Sequence, residues 1–405
     1  MKVDHQVAVI GAGTVGAALA LALARAGVSV LLVEREAPKP PARRDEMDLR
    51  VSALSIASEN ILNSLGVWEE IKAVRACPYR HMEVWDAGGG GSLEFHSVEA
   101  GEPRLGHIVE NRLARGVLWA SLARHPRVTL ACPSALEAFT VAEDGVQIEL
   151  EDGTRKSVAL LVGADGGRSK VREDAGIPSR IWDYRQRAVV THVATGKPHQ
   201  FTCYQRFLAT GPLAFLPLAD GRSSIVWSTT PEEAERLLGL EDDAFAAELT
   251  EAGESKLGTI SRVGKRAAFP LRYQHARRYV QQRIALVGDA AHVVHPLAGQ
   301  GVNLGLLDAA ALAEVVVSAH RARRDIGRVS ELRPYERWRK GDDLIMGNVL
   351  HGLKYLFGSD KRTVSWARNL GMNVVDDLKP IKKLFMRQAA GLAGDLPKLA
   401  VGQPL

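Results

Sequence analysis

The chain opens with two changes of hydrophobic pattern. Apolar residues run unbroken over Val7–Ile10 in QVAVI (6–10), which predicts a short apolar strand. GAGTVG follows, and an Ala/Leu-rich stretch from Thr14 to Arg25, closed by Gly27, predicts a helix. VSVLLVE (28–34) predicts a second strand, so the opening reads as a βαβ unit. Residues 38–45, proline-rich and charged, predict a surface loop. Residues 52–76 read as helices broken at Leu65-Gly66, and Gly88 to Gly91 as a flexible hairpin tip between strands. Leu113, Val117, Leu118 and Leu122 give Asn111 to Arg124 a helical apolar face. Residues 128–162 alternate like antiparallel strands, with turns at Asp144-Gly145 and Asp152-Gly153. From 181 to 271 the pattern is again strand-rich, with one helix near 231–253. RIALVGDAAH (283–292) is a further strand, and a helix runs from near Gly299 to about Arg321.

These elements predict an α/β fold. A discontinuous nucleotide-binding domain takes residues 1–76, 105–180 and 272–330. An antiparallel β-sheet substrate domain is inserted as 77–104 and 181–271, and 331–405 form a helical, basic C-terminal region.

Composition narrows the class. At 405 residues, with 46% hydrophobic and 24% charged, the chain can bury a large core. MKVDHQVAVIGAG carries charge and runs straight into a strand, so no leader peptide is expected. The longest apolar stretch, Val7 to Ala24, is broken by Gly11, Gly13 and Gly16, so no uninterrupted membrane span is expected. Cys77, Cys132 and Cys203 sit too far apart for a disulfide framework or a metal knuckle, which points to a reducing, cytoplasmic compartment. The net charge of +5 suits an anionic cofactor or membrane surface. No nucleic-acid-binding motif is visible.

Three glycine-flanked motifs carry chemistry. Gly11-x-Gly13-x-x-Gly16 follows a strand and opens a helix, where glycines admit a pyrophosphate close to the backbone and the helix start offers free N–H donors. Glu34, with Arg35 beside it, ends the second strand, where a carboxylate accepts from both ribose hydroxyls and disfavours a 2′-phosphate. Asp165-Gly166, within GADGGRSKVR, ends another strand. Gly288-Asp289-Ala-Ala-His292 ends a third and leads into HPLAGQGVNLGLLD (295–308). His292 and His295 could suggest a metal pair, but a capping or packing role is the better reading, and no metal is expected.

In this order the motifs resemble the class A flavoprotein hydroxylases, the group of para-hydroxybenzoate hydroxylase. HPLAGQGVNLGLLD, with RVSAL (50–54), LGVW (65–68), VENR (109–112) and GPLAFLPL (211–218), is similar to the ubiquinone-biosynthesis hydroxylases, the UbiH/UbiF/UbiI/Coq6 group. The resemblance implies bound FAD, with NADPH or NADH as a transient reductant. Gly11, Gly13 and Gly16 would then cradle the pyrophosphate, and Glu34 the adenosine ribose. Arg50 and Arg112 would reach the cofactor, and Asp165 and Gly166 would lie by the reductant's path. Asp289 would bind the ribityl chain, and Pro296, Gly299, Gly301 and Asn303 would line the isoalloxazine ring.

The same resemblance implies an aromatic-ring monooxygenase working through a flavin C4a-hydroperoxide and O2. Only one dinucleotide-binding βαβ is visible, which agrees with a passing reductant. No side chain is assigned as a catalytic base. Other flavin chemistry, such as an epoxidase or reductase, and a flavin-stabilised scaffold among ubiquinone-biosynthesis proteins are the alternatives. The implied substrate is a phenol or quinol with a polyprenyl tail, so a peripheral encounter with the bacterial inner membrane is expected. In 380–393, Ile381, Leu384, Phe385, Gln388-Ala389 and Leu392 trace a largely apolar helical face with Lys382, Lys383 and Arg387 off it; a helix packed on its own domain fits equally well, and docking to partner proteins is a third reading.

Overall fold

The computed structural model describes residues 3–38, 47–88, 91–294, 300–341, 382 and 386–405. Pro296 and Gly299, like most of the 380–393 segment, lie outside them.

β1 (His5–Ile10), α1 (Thr14–Arg25) and β2 (Val30–Val33) form the expected βαβ unit. Every residue of α1 from Gly16 to Ala24 is buried. Its all-round Ala/Leu composition follows from packing against both Asn111–Ala123 and the long helix Gln300–Arg321. That contact depends on small residues: a Cβ on Gly305 would lie 2.6 Å from Val15 Cγ2. Gly301–Arg321 is long and apolar enough to cross a membrane, but 78% of its most apolar window is buried, as in a core helix.

β1 pairs in parallel with β2 and with Arg155–Gly163; Ile284–Leu286 and Val128–Ala131 extend the parallel sheet on either side. The register aligns Ile10 with Val33 and Gly163, and Gly163 with Leu286. The three glycine-flanked motifs therefore leave the sheet side by side at its carboxyl edge, where open α/β sheets bind ligands.

A nine-stranded sheet forms the second layer. Its central strands, Ser179–Thr195, Ser223–Thr229, Gly211–Pro217 and Thr202–Leu208, are antiparallel. His81–Asp86 joins it in parallel, with Ser92–His96 as its hairpin partner across the glycine run. One face packs Leu213, Phe215, Ile225 and Trp227 under the helices Pro231–Gly239 and Asp242–Ala252.

Three local expectations need correction. Val51–Ser55 is a strand, not part of a helix: it pairs antiparallel with Gly106–Glu110, and the Ser55 hydroxyl then caps the helix Ile56–Ser64. Val128–Ala131 pairs in parallel with β2, so the antiparallel ribbon begins only at Leu136. The helix near 231–253 is two helices, the first capped by Thr230 with Pro231 in its first turn.

All three cysteines are free thiols. Burial pushes the Cys77 thiol up to about 11, which makes it inert near neutral pH. At the C-terminus Met386 and Ala390 are buried, and Ala57 N–H donates to Ala390 O, so this described turn packs on its own protein.

Candidate functional site

Two adjoining cavities of about 440 and 370 Å³ lie along the carboxyl edge and share Gly13, Arg115, Ala164 and Gly166 as walls. Gly11, Glu34, Arg35 and Asp165 line the smaller; Gly16, Arg50, Arg112, Asp289 and Gly301 line the larger. The fold thus brings these predicted residues onto one groove. Asn303 is the exception. It is buried and lines neither cavity: its Oδ1 accepts from Ser55 N–H (2.9 Å) and Ser58 Oγ–H (2.7 Å), and its Nδ2 donates to Ala53 O (2.8 Å). Its part is to tie the long helix to the strand-to-helix turn at Ser55.

The glycines of the first motif differ in what they do. Gly11 has φ +99°, and a Cβ there would sit 2.5 Å from Ala164 O. A Cβ on Gly16 would sit 2.1 Å from Gly11 O. Both are required by the fold alone. Gly13 has an ordinary φ of −66° and nothing within 4 Å of a built Cβ. Neither strain nor packing demands glycine there; the side chain would only fill the groove. Gly301 is equally open. A pyrophosphate seated against the start of α1 accounts for Gly13 as the fold does not, so the residues present fit FAD.

Glu34 stands at the end of β2. Its Oε2 accepts from Ala12 N–H at 2.7 Å, and Arg115 approaches it at 3.2 Å. Arg115, which the motifs did not reveal, also donates to Ala12 O (2.9 Å) and Glu36 O (2.8 Å), clamping the glycine loop to the strand end. The available signal was its spacing, one helical turn after Arg112. Asp48, also unforeseen, accepts from Arg112 N–H at 3.2 Å; its own N–H donates to Glu110 at 2.6 Å.

Asp165 Oδ2 accepts from Val171 N–H, while Oδ1 has no partner among the described residues; burial pushes its carboxyl up. Arg172 links this turn to the third motif, donating to Gly167 O and Ala290 O at 3.1 Å each. Asp289 is open to the cavity but walled by protein, which pushes its carboxyl up against the pull of His292, Arg50 and Arg272. Asp289→Ala should lower the flavin content of the purified protein several-fold, and circular dichroism should show the sheet intact. Full flavin content would remove Asp289 from the site.

Behind Asp289 lies a buried ionic cluster. Asp308 accepts from His292 Nε2 (2.6 Å), Gly288 N–H (3.1 Å) and Arg339 Nε (2.9 Å). Burial alone would raise its carboxyl; His292 and Arg339 more than offset that and hold it below the usual range. His275 bonds Tyr279 at 3.0 Å, and burial holds its ring down to about 4. The unfolded chain then takes up a proton as pH falls below about 6.5 while the folded chain does not until near 4, so stability drops across that window. At about 1.4 kcal/mol per pH unit, about 3 kcal/mol is at stake. Thermal melting of His275→Gln should fall less steeply than wild type between those pH values; parallel slopes would contradict this assignment.

Comparison with known proteins agrees with this geometry. The FAD binding domain family matches residues 4–340. Ubiquinone hydroxylase UbiL of Rhodospirillum rubrum is 40% identical, over 98% of this chain and 93% of its own. The 3-demethoxyubiquinol 3-hydroxylase of Escherichia coli is 37% identical, over 96% and 98%. The crystal structure of p-nitrophenol 4-monooxygenase PnpA from Pseudomonas putida superposes with a TM-score of 0.78 over 97% of this chain and 99% of that one; at 19% identity it speaks for the fold. A single groove on one βαβ unit, a glycine there that neither strain nor packing demands and near full-length likeness to these relatives converge: the chain belongs to the FAD binding domain family, in the group of the ubiquinone-biosynthesis hydroxylases.

Proposed function

We propose that this chain is an FAD-dependent monooxygenase that hydroxylates the aromatic ring of a polyprenylated phenol or benzoquinol in ubiquinone biosynthesis. The observation that carries the reading is the junction at Arg50. Arg50 lines the larger cavity, and its guanidinium sits 5.3 Å from the ring centre of Phe269 in the nine-stranded sheet. The cofactor groove therefore abuts a face of that sheet. On the face turned away from Leu213 and Phe215 lie Ala214 and Leu216, with Val226 and Val190 beside them in register. That apolar wall suits a ring held against the groove. The substrate domain is accordingly assigned to 77–104 and 181–271.

In this reading Gly11, Gly13 and Gly16 seat the pyrophosphate, Glu34 and Arg35 the adenosine ribose, and Arg50 and Arg112 the phosphates. Asp165 and Gly166 border the reductant's approach, and Asp289 takes the ribityl hydroxyls. Gly301, with Pro296 and Gly299, is assigned to the ring. Bound FAD supplies hydride acceptance from NADH or NADPH and activation of O2, which no side chain here can supply. The chain's contribution is orientation and exclusion of water from the apolar wall. Deleting the gene in its bacterial host should cause a quinone precursor lacking one ring hydroxyl to accumulate, detected by mass spectrometry. Unchanged quinones and precursors would overturn the pathway assignment.

A further inference from the structure

A basic concavity lies away from the flavin groove. A cleft of about 670 Å³ opens at the outer edge of the parallel sheet, beside Val280–Gln281 and the helical segment 329–341. It shares no wall with either cofactor cavity. Arg277, Arg278, Arg333 and Lys340 line it, with Glu336 as the acid among the lining residues. Glu336 is already engaged, accepting from Tyr279 N–H at 2.7 Å, and Lys340 donates to Arg277 O at 2.6 Å. Among the described residues the three guanidiniums form no hydrogen bond or ion pair. Unpaired cations so close together repel one another and favour an anionic partner.

What lies next to the cleft narrows the partner. Arg277 N–H donates to Pro178 O, which places the cleft at the start of the long strand Ser179–Thr195. Ile181 and Trp182 follow, 60% and 53% exposed. A strand rise of about 3.4 Å per residue sets them roughly 10–14 Å from Pro178. Arg180, between them and the cleft, is exposed too. Most large apolar side chains in this protein are buried, so an exposed Ile-Trp pair beside a basic cleft is unusual. An acidic protein surface or a nucleic acid would satisfy the guanidiniums but gives no role to Ile181 and Trp182. A bilayer accounts for both: indole favours the headgroup level, and clustered arginines favour anionic lipid.

We propose that the cleft of Arg277, Arg278, Arg333 and Lys340, together with Ile181 and Trp182, docks this protein on an anionic phospholipid bilayer. This rests on the proposed function only for its purpose, delivery of a substrate whose tail resides in the membrane. The same ribbon leads toward the groove, since Asp183 pairs with Arg272 and a Cβ on Gly167 would lie 2.6 Å from Arg272 Nη2. The ring would thus be handed from the bilayer along the ribbon.

The test is cosedimentation of the full-length flavin-loaded protein with phosphatidylcholine vesicles, with and without phosphatidylglycerol. Wild type should sediment with the anionic vesicles only, and added salt should release it. The double variant Arg277→Glu/Arg333→Glu should lose at least about tenfold in binding, and Trp182→Ser about threefold or more. Both should keep full flavin content and wild-type NAD(P)H oxidation with a short-tailed, water-soluble phenol. Wild type remaining in the supernatant, or the charge-reversed variant binding as wild type, would overturn the proposal. So would binding to soluble polyglutamate in place of vesicles, which would assign the cleft to an acidic protein. A wild type that binds vesicles but neither holds flavin nor oxidises NAD(P)H would instead count against the proposed function and leave the docking result standing.

Discussion

Gly13→Val should purify colourless. The built Cβ meets no protein atom within 4 Å, so the valine has room in the protein itself and a melting curve of the flavin-free form should shift little. The branched side chain would instead occupy the space at the start of α1 where the pyrophosphate approaches the backbone. A loss of at least about 3 kcal/mol in flavin binding, more than a hundredfold in Kd, is expected from one steric block at so close a contact. Gly16→Val is the contrasting variant. Its Cβ would meet Gly11 O at 2.1 Å, so it should fail to fold rather than merely fail to bind. Flavin titration with melting curves separates the two outcomes. A yellow Gly13→Val protein would show that the groove is not where the cofactor lies.

The second large effect is expected at Asp308. Truncation to alanine leaves His292 and Arg339 without their carboxylate in a fully buried setting, and frees the Gly288 N–H. Removing one member of such a cluster costs about 3–5 kcal/mol. Part of that cost is the loss of the direct Arg339–Asp308 pairing, so Asp308→Ala/Arg339→Met should recover about 1–2 kcal/mol of it. Denaturant unfolding of the single and double variants measures this directly. Additive losses would show that the residues do not act as a unit. The single variant should also bind flavin more weakly, because Gly288 sets the turn that presents Asp289.

Much of this site was legible as residues but not as connections. The three glycine-flanked turns stood out because each follows an apolar run, and parallel pairing in register brings such strand ends together. Which glycine serves the fold and which the ligand was not legible: Gly11, Gly13 and Gly16 look alike until Ala164 is seen against two of them. The family resemblance implied a ring-lining role for Asn303; the tertiary fold shows its amide bound to Ala53, Ser55 and Ser58 instead. Arg115 was hidden because a helical arginine normally marks a solvated face. Val51–Ser55 looked helical because its alternation is short and a true helix follows at once, whereas its strand character comes from the distant Gly106–Glu110.

The most direct test is to supply the purified protein with NAD(P)H, a polyprenylated phenol and isotopically heavy O2, and to weigh the product. Oxygen transfer by the bound flavin predicts one heavy atom on the ring per turnover, together with consumption of one NAD(P)H. A hydroxyl drawn from solvent water, or NAD(P)H consumed with no labelled product from any phenol of this class, would contradict it.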